Sequence, residues 1–187
     1  EIAVLEDVPA AATRNGATTA PAATLYEIVR KLPEGAQVSL ETTGESGQLL
    51  LRSGRSRFNL QSLPESDFPD LSAGELGHKF SLAAGDLKKL IEKTQFAIST
   101  EETRHYLNGI FVHTTDVGGH AMLRAVATDG HRLARVEEPL PKGAKGIPGV
   151  IVPRKTVAEL RKLLDEASAD VEIALSETRV QFKVGPI

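Results

Sequence analysis

The sequence predicts an α+β protein with antiparallel sheets. Three observations carry this. Helix-period and strand-period stretches alternate in the order helix, strands, helix, strands, helix, strands. The strand stretches are joined by spacings too short for a parallel crossover. The blocks also repeat along the chain. The 187 residues suffice for one large domain or two small ones with a buried core, and 41% apolar against 25% charged residues excludes disorder as the main state. The absence of cysteine excludes a disulfide scaffold, a Cys-based zinc site and a cysteine nucleophile. No apolar run reaches bilayer length and the N-terminus lacks a signal-peptide pattern, which predicts a cytoplasmic protein.

The first helix is predicted over Pro21–Leu32, where Leu25, Ile28, Val29 and Leu32 recur at helical spacing. Pro21 suits its first turn, and Pro33 with Gly35 stops it. Strands follow at Gln37–Thr42, Gln48–Arg52 and, after a Ser53-Gly54 turn, Arg55–Leu60. Ser62–Ser72 is polar, carries Pro64 and Pro69, and reads as a linker. A short strand near Lys79–Leu82 leads into a second helix, Asp86–Phe96, with Leu87, Leu90 and Ile91 on its apolar face. Strands are expected at Leu107–Thr114, Ala121–Thr128 and His131–Val136, the last two joined by a type I′ turn at Asp129-Gly130. Pro139–Gly149 is a Pro/Gly/Lys loop. Val150–Val152 is a strand, Pro153–Leu164 a third helix, and Val171–Leu175 and Arg179–Val184 a closing strand pair.

Charge is segregated. The net value of −3 argues against a uniformly basic nucleic-acid binder, but not against charge gathered on one face. Ser46–Pro64 carries Arg52, Arg55 and Arg57 and no acid, whereas Ser62–Leu76 carries Glu65, Asp67, Asp70 and Glu75 and no base. Asp165–Thr178 is again acidic without a base.

An internal repeat organises these elements. Ala20–Thr24 matches Val152–Thr156 at an offset of 132, and the match continues through Glu27/Glu159, Ile28/Leu160, Leu32/Leu164 and Glu34/Glu166. Thr-x-x-Glu recurs as Thr24/Glu27 and Thr156/Glu159; it is either a capping box or a stretch inside a helix that starts at the proline. The middle helix fits the same template, since Leu87–Ile91 overlays Leu160–Leu164 at an offset of 73. Each helix thus has an apolar i, i+4 pair (Ile28/Leu32, Leu87/Ile91, Leu160/Leu164) with a base two residues after its first member: Arg30, Lys89 and Lys162. At about 100° per residue that base points from the opposite face. The apolar pairs of the second and third helices are expected side by side under one sheet face, with Lys89 and Lys162 exposed. The partner of the acidic Asp67–Asp70 segment would fall beyond Ile187, so the repeat predicts the second half of one unit and most of the next.

No obvious catalytic or metal site emerges. His78, His105, His113, His120 and His131 form no HExxH and no close carboxylate cluster. Thr128–Arg132 has residue types that catalysis uses, but no Ser nucleophile elbow or second acid accompanies it. Gly118-Gly119 reads as a turn, Arg104 as a surface residue and Tyr106 as half-buried.

Five stretches carry a resemblance: Arg52–Phe58 (RSGRSRF), Leu63–Pro69 (LPESDFP), Tyr106–Gly109 (YLNG), Ala127–Ala134 (ATDGHRLA) and Val150–Lys155 (VIVPRK). In this order they resemble the bacterial beta sliding clamp family, the beta subunit of the replicative DNA polymerase III. The resemblance implies a DNA-clamp fold: repeated βαβββ halves, antiparallel sheets outside, and helices lining a DNA channel. It implies that residues 1–72 are the C-terminal half of clamp domain one, 73–78 a linker and 79–187 most of domain two, with domain three absent. The implied function is a non-enzymatic processivity factor, a homodimeric ring around duplex DNA without metal or cofactor. Replicative polymerase, clamp loader and repair proteins would bind it through short peptide motifs.

By the same resemblance Arg30, Lys89, Arg154, Lys155 and Lys162 face DNA. Ala22 and Ala23 stand where the third helix has Arg154 and Lys155, so the first unit is expected to make fewer contacts. A partner-peptide pocket would use Arg104, Leu107, Thr128, Gly130, His131, Arg132 and Leu133, with the two leucines as apolar floor. The ring interface would use Ile28, Leu32, Arg55, Arg57 and Leu60, their apolar side chains partly exposed here. The alternative from another class is a small hydrolase centred on Asp129, His131 and Arg132.

Overall fold

The computed structural model describes residues 2–43, 47–69, 74–167 and 169–187, the side chains of Thr43 and Glu166 excepted. The chain divides into two compact units, Pro9–Leu71 and Ser72–Ile187 with Glu1–Val8.

In the smaller unit, helix α1 (Ala22–Val29) precedes strands β1 (Ser39–Thr43), β2 (Gln48–Ser53) and β3 (Ser56–Gln61), paired antiparallel in that order. Leu49, Leu50 and Leu51 are buried in succession, so both faces of the central strand β2 are covered. Ser53 pairs with Ser56, which centres the turn on Gly54-Arg55, and Gly54 supplies the positive φ of 54°. Helix α1 ends at Val29, earlier than its periodicity suggests, because the N–H groups of Lys31 and Leu32 reach back only three residues, to Ile28 and Val29. Leu25, Ile28 and Leu32 are half-buried, and no residue of the helix is fully buried. Thr19 Oγ1 donates to the Leu63 carbonyl at 3.0 Å and accepts the Leu63 N–H at 2.7 Å, tying the chain before α1 to the chain leaving β3. The expected linker Ser62–Ser72 contains a 3₁₀ turn at Glu65–Asp67; its residues 70–72, including Asp70, lie outside the described residues.

The larger unit runs β4 (His78–Ala83), α2 (Ala84–Glu92), β5 (Gly109–Val117), β6 (His120–Thr128), β7 (Leu133–Pro139), β8 (Val150–Pro153), α3 (Arg154–Glu166), β9 (Asp170–Leu175) and β10 (Val180–Lys183). These strands form two antiparallel sheets, β10-β9-β4 and β7-β6-β5-β8. The strand that leads into each helix joins the other half's sheet: β4 pairs with β9, and β8 with β5. Leu87, Leu90 and Ile91 of α2 and Val157, Leu160 and Leu164 of α3 are buried in one core with side chains of both sheets. The helices pack on each other, α2 also against β4, β9 and β7, and α3 against β5 and β8. The expected packing under a single sheet face is therefore corrected: α2 touches strands of both sheets, α3 touches strands of one, and a single core joins both helices to both sheets.

Local chemistry explains the other departures. The second helix stops at Glu92 rather than Phe96 because the buried Thr94 hydroxyl donates to the Leu90 carbonyl at 2.6 Å, while the Thr94 N–H turns to Ile91. A 3₁₀ turn at Gln95–Ala97 follows. Leu107 lies in a 3₁₀ turn, His105–Leu107, not in a strand. The next strand begins at Gly109, where an added Cβ would stand 2.3 Å from the Val152 carbonyl oxygen. The expected type I′ turn at Asp129-Gly130 is overturned. Thr128 pairs with Leu133 around a four-residue loop, and Gly130 has φ 92° while no described non-glycine residue has positive φ. The two-residue hairpin of that kind is Gly118-Gly119, with φ 61° and 83°, between paired Val117 and His120. The loop from Pro139 to Gly149 is anchored through buried Ala144 and Ile147. Among the described residues no helix is long and apolar enough to cross a membrane.

Candidate functional site

The three repeated helix cations all project into solvent, and each is met by a carboxylate. Arg30 Nη1 lies 3.3 Å from Glu27 Oε1, and its guanidinium sits 5.8 Å from the Tyr26 ring centroid. Lys162 Nζ donates to both oxygens of Glu159, at 2.9 and 3.0 Å. Lys89 differs. Its own-helix acid, Asp86, is passed over for Glu138 on β7, and the Lys89 side chain is 53% exposed whereas that of Glu138 is 11% exposed. The hydrogen bond to Glu138, reinforced by its charge, raises the Lys89 pKa. Arg154 and Lys155 open α3 and are exposed. Cations gathered at a helix N-terminus oppose its dipole, an arrangement that an external anion would relieve.

A second set of charges links α2 to α3. Lys88 Nζ lies 2.9 Å from Asp165, and Arg161 Nη2 lies 3.4 Å from Glu92. The members correspond at the offset of 73, Lys88 with Arg161 and Glu92 with Asp165, so the repeat makes the two bridges reciprocal across an antiparallel helix pair. The Lys88–Asp165 hydrogen bond raises the pKa of the lysine and lowers that of the aspartate. Sequence reasoning passed over these residues, although the offset aligns both the bases and the acids.

Of the predicted pocket residues, Thr128, Gly130, His131, Arg132 and Leu133 form the β6–β7 loop and its ends, and Arg104 approaches that loop. Asp129 Oδ1 accepts the N–H groups of Arg132 and His131, both at 3.0 Å, and its Oδ2 accepts the Arg132 Nε–H at 2.9 Å. These donors, led by the Arg132 and His131 backbone, hold the Asp129 pKa at about 2. Thr128 Oγ1 donates to the Arg132 carbonyl at 2.7 Å and accepts the Gly130 N–H at 3.1 Å. An added Cβ at Gly130 would stand 3.2 Å from Arg104 Nη1, so these two residues are close neighbours. Arg104 is itself paired with Glu101 at 2.9 Å. Leu133 is 64% exposed, Leu107 half-buried, and Tyr106 exposed rather than half-buried. Arg132 also lies over Phe96, 5.6 Å from its ring centroid. Exposed Phe96 was missed because it was assigned to the end of a helix; a large apolar residue just past a helix stop was the available signal.

Of the predicted interface set, Ile28 and Leu32 are half-buried and Arg55 and Arg57 exposed. Leu60, expected to be partly exposed, is instead buried at 5% exposure and sits opposite Leu49 in the ladder. The hydrolase alternative has no support. The Asp129 carboxylate is fully engaged in holding its own loop, and no second acid or nucleophile is paired with it among the described residues. Also among the described residues, no group of three or more His, Asp or Glu side chains could hold a metal ion.

The fold is that of the sliding clamps. It is similar to the solved Caulobacter crescentus pol III beta structure with a TM-score of 0.88 at 55% identity, covering 94% of this chain and 47% of that one. It is similar to the Bartonella birtlesii sliding clamp bound to griselimycin with a TM-score of 0.87 at 50% identity, covering 93% and 46%. Residues 1–72 match the family described as DNA polymerase III beta subunit, N-terminal domain, and residues 81–187 match DNA polymerase III beta subunit, central domain. The chain belongs to the DNA polymerase III beta subunit family. Curated relatives include the beta sliding clamp of Caulobacter vibrioides (strain NA1000 / CB15N), 57% identical over 170 residues, 91% of this chain and 46% of that protein. That of Escherichia coli (strain K12) is 41% identical over 172 residues, 91% and 44%. The chain spans about half the length of the curated relatives it matches.

Proposed function

We propose that this chain is part of a ring-shaped processivity clamp that encircles duplex DNA and tethers the replicative polymerase. The ring is a cytoplasmic homodimer, catalyses no reaction, and also receives clamp-loader and repair proteins through short peptide motifs. Residues 1–72 supply the C-terminal half of its first domain and 79–187 most of its second. The observation that carries this reading is the repeated cation opposite each helix's apolar stripe, in a chain whose two parts match two consecutive domains of the family.

A sliding ring must hold phosphates without reading bases, which solvated Arg and Lys do. Arg30, Lys89, Arg154, Lys155 and Lys162 take that role, with fewer contacts from α1, where Ala22 and Ala23 replace two bases. Leu107 and Leu133 floor the peptide groove, Arg104, His131 and Arg132 rim it, and Thr128 and Gly130 shape it. Ile28, Leu32, Arg55 and Arg57 contribute to ring closure. In a full-length ring carrying this chain, alanine at Arg154 and Lys155 reduces the slope of log K against log salt by about one per phosphate contact, with no change in sequence preference. Leu133→Ala leaves DNA retention intact and weakens binding of a linear clamp-binding peptide. One shared defect for both variants overturns the assignment of two surfaces.

A further inference from the structure

The Thr-x-x-Glu stretches of α1 and α3 have no capping role. A capping box needs Thr at the N-cap, whereas the N-caps are Pro21 and Pro153 and no side chain caps either helix. The glutamates reach forward instead. Glu27 meets Arg30 at 3.3 Å and Lys31 at 3.4 Å, and Glu159 grips Lys162 with both oxygens. Acid and base occupy equivalent positions in the two copies of the repeat, three residues apart, and all five side chains are roughly half or more exposed. Such pairs exchange readily, since an exposed ion pair in water is held only weakly.

We propose that Glu27 and Glu159 are positioning residues that compete with DNA phosphate for Arg30 and Lys162. This rests on the DNA-binding reading above. Between contacts the carboxylate holds the cation above its own helix. On contact the cation exchanges one anion for another, and the freed carboxylate then repels the phosphate that displaced it. The exchange gains little and releases fewer condensed counterions than a bare cation would. Each contact is therefore weak and short-lived, as a ring that moves along DNA requires. Lys89 stands apart, because its partner Glu138 is buried on β7 and so less able to be exposed by exchange.

The test uses the full-length ring, a short duplex and a salt series, comparing Glu27→Gln, Glu159→Gln and the double variant with the parent. Removing each competitor tightens DNA binding about two- to five-fold and steepens the slope of log K against log salt by up to about one. One-dimensional diffusion of the loaded ring slows in parallel. Lys162→Ala is measured beside them. If it leaves affinity and slope unchanged, the DNA reading itself fails. If it weakens binding while Glu159→Gln leaves affinity and slope unchanged, the competitor role alone is overturned. A lowered melting temperature for Glu159→Gln with unaltered DNA binding identifies a pair that only stabilises the helix, and also overturns it.

Discussion

Helices α1 and α3 are written from one template and are covered differently. Ile28 and Leu32 align with Leu160 and Leu164, yet α3 buries its apolar pair completely while α1 buries no residue fully. The pattern assigns a face to the core side of a helix; what covers that face depends on elements elsewhere in the chain. In the larger unit α2 and strands β5 and β8 pack against α3. The same contrast holds for the outward face, where Arg30 and Lys162 find an acid on their own helix and Lys89 finds one on a strand.

The largest expected difference comes from truncating the aligned apolar residues. Leu160→Ala costs about 2–5 kcal/mol by removing a fully buried side chain from the joint core. Ile28→Ala costs about 1 kcal/mol or less, because its site is already half open. Chemical denaturation of both variants checks this, and equal losses would break the comparison. A smaller effect separates the cations. Lys89→Ala strands the Glu138 carboxylate in a buried site and lowers the melting temperature, whereas Lys162→Ala leaves it nearly unchanged because Glu159 returns to water. Calorimetry of the two variants decides it. The smallest effect lies in the β6–β7 loop, where the Asp129 carboxylate accepts the His131 and Arg132 backbone N–H groups and the Arg132 Nε–H. Its carboxyl pKa is lowered from 3.8 to about 2, so its contribution is fully present above 3.8 and is lost as pH falls through about 2. An NMR titration should find the Asp129 midpoint near 2, with the His131 and Arg132 amide shifts moving together; a midpoint at the ordinary value would show the loop to be loose.

Periodicity and turn chemistry made much of this fold legible. The buried faces of α2 and α3 follow from Leu87, Ile91, Leu160 and Leu164, and proline marks the start of α1 and α3. What stayed hidden depends on partners distant in sequence. The early stop of α2 needs a buried Thr94 hydroxyl facing Leu90. The Asp129-Gly130 dipeptide looked like a hairpin turn, but the Asp129 carboxylate collects two further N–H groups and lengthens the loop to four residues. The candidate cations were legible as a set, whereas their carboxylate partners were legible only where acid and base share a helix. Glu138 could not be paired with Lys89 from spacing, since only the sheet brings them together.

The exchange of leading strands has a kinetic consequence. His78 pairs with Leu175 and Ala83 with Asp170, so the β10-β9-β4 sheet can close only after most of the larger unit has been synthesised and brought round on itself. That loop must be closed before its contacts are rewarded, which makes the contact order high and folding slow. Neither half can complete a sheet alone, because each lends its first strand to the other. The two repeats are thereby interlocked into one cooperative body, and a chain cut between β7 and β8 should regain its fold only when both pieces are present together.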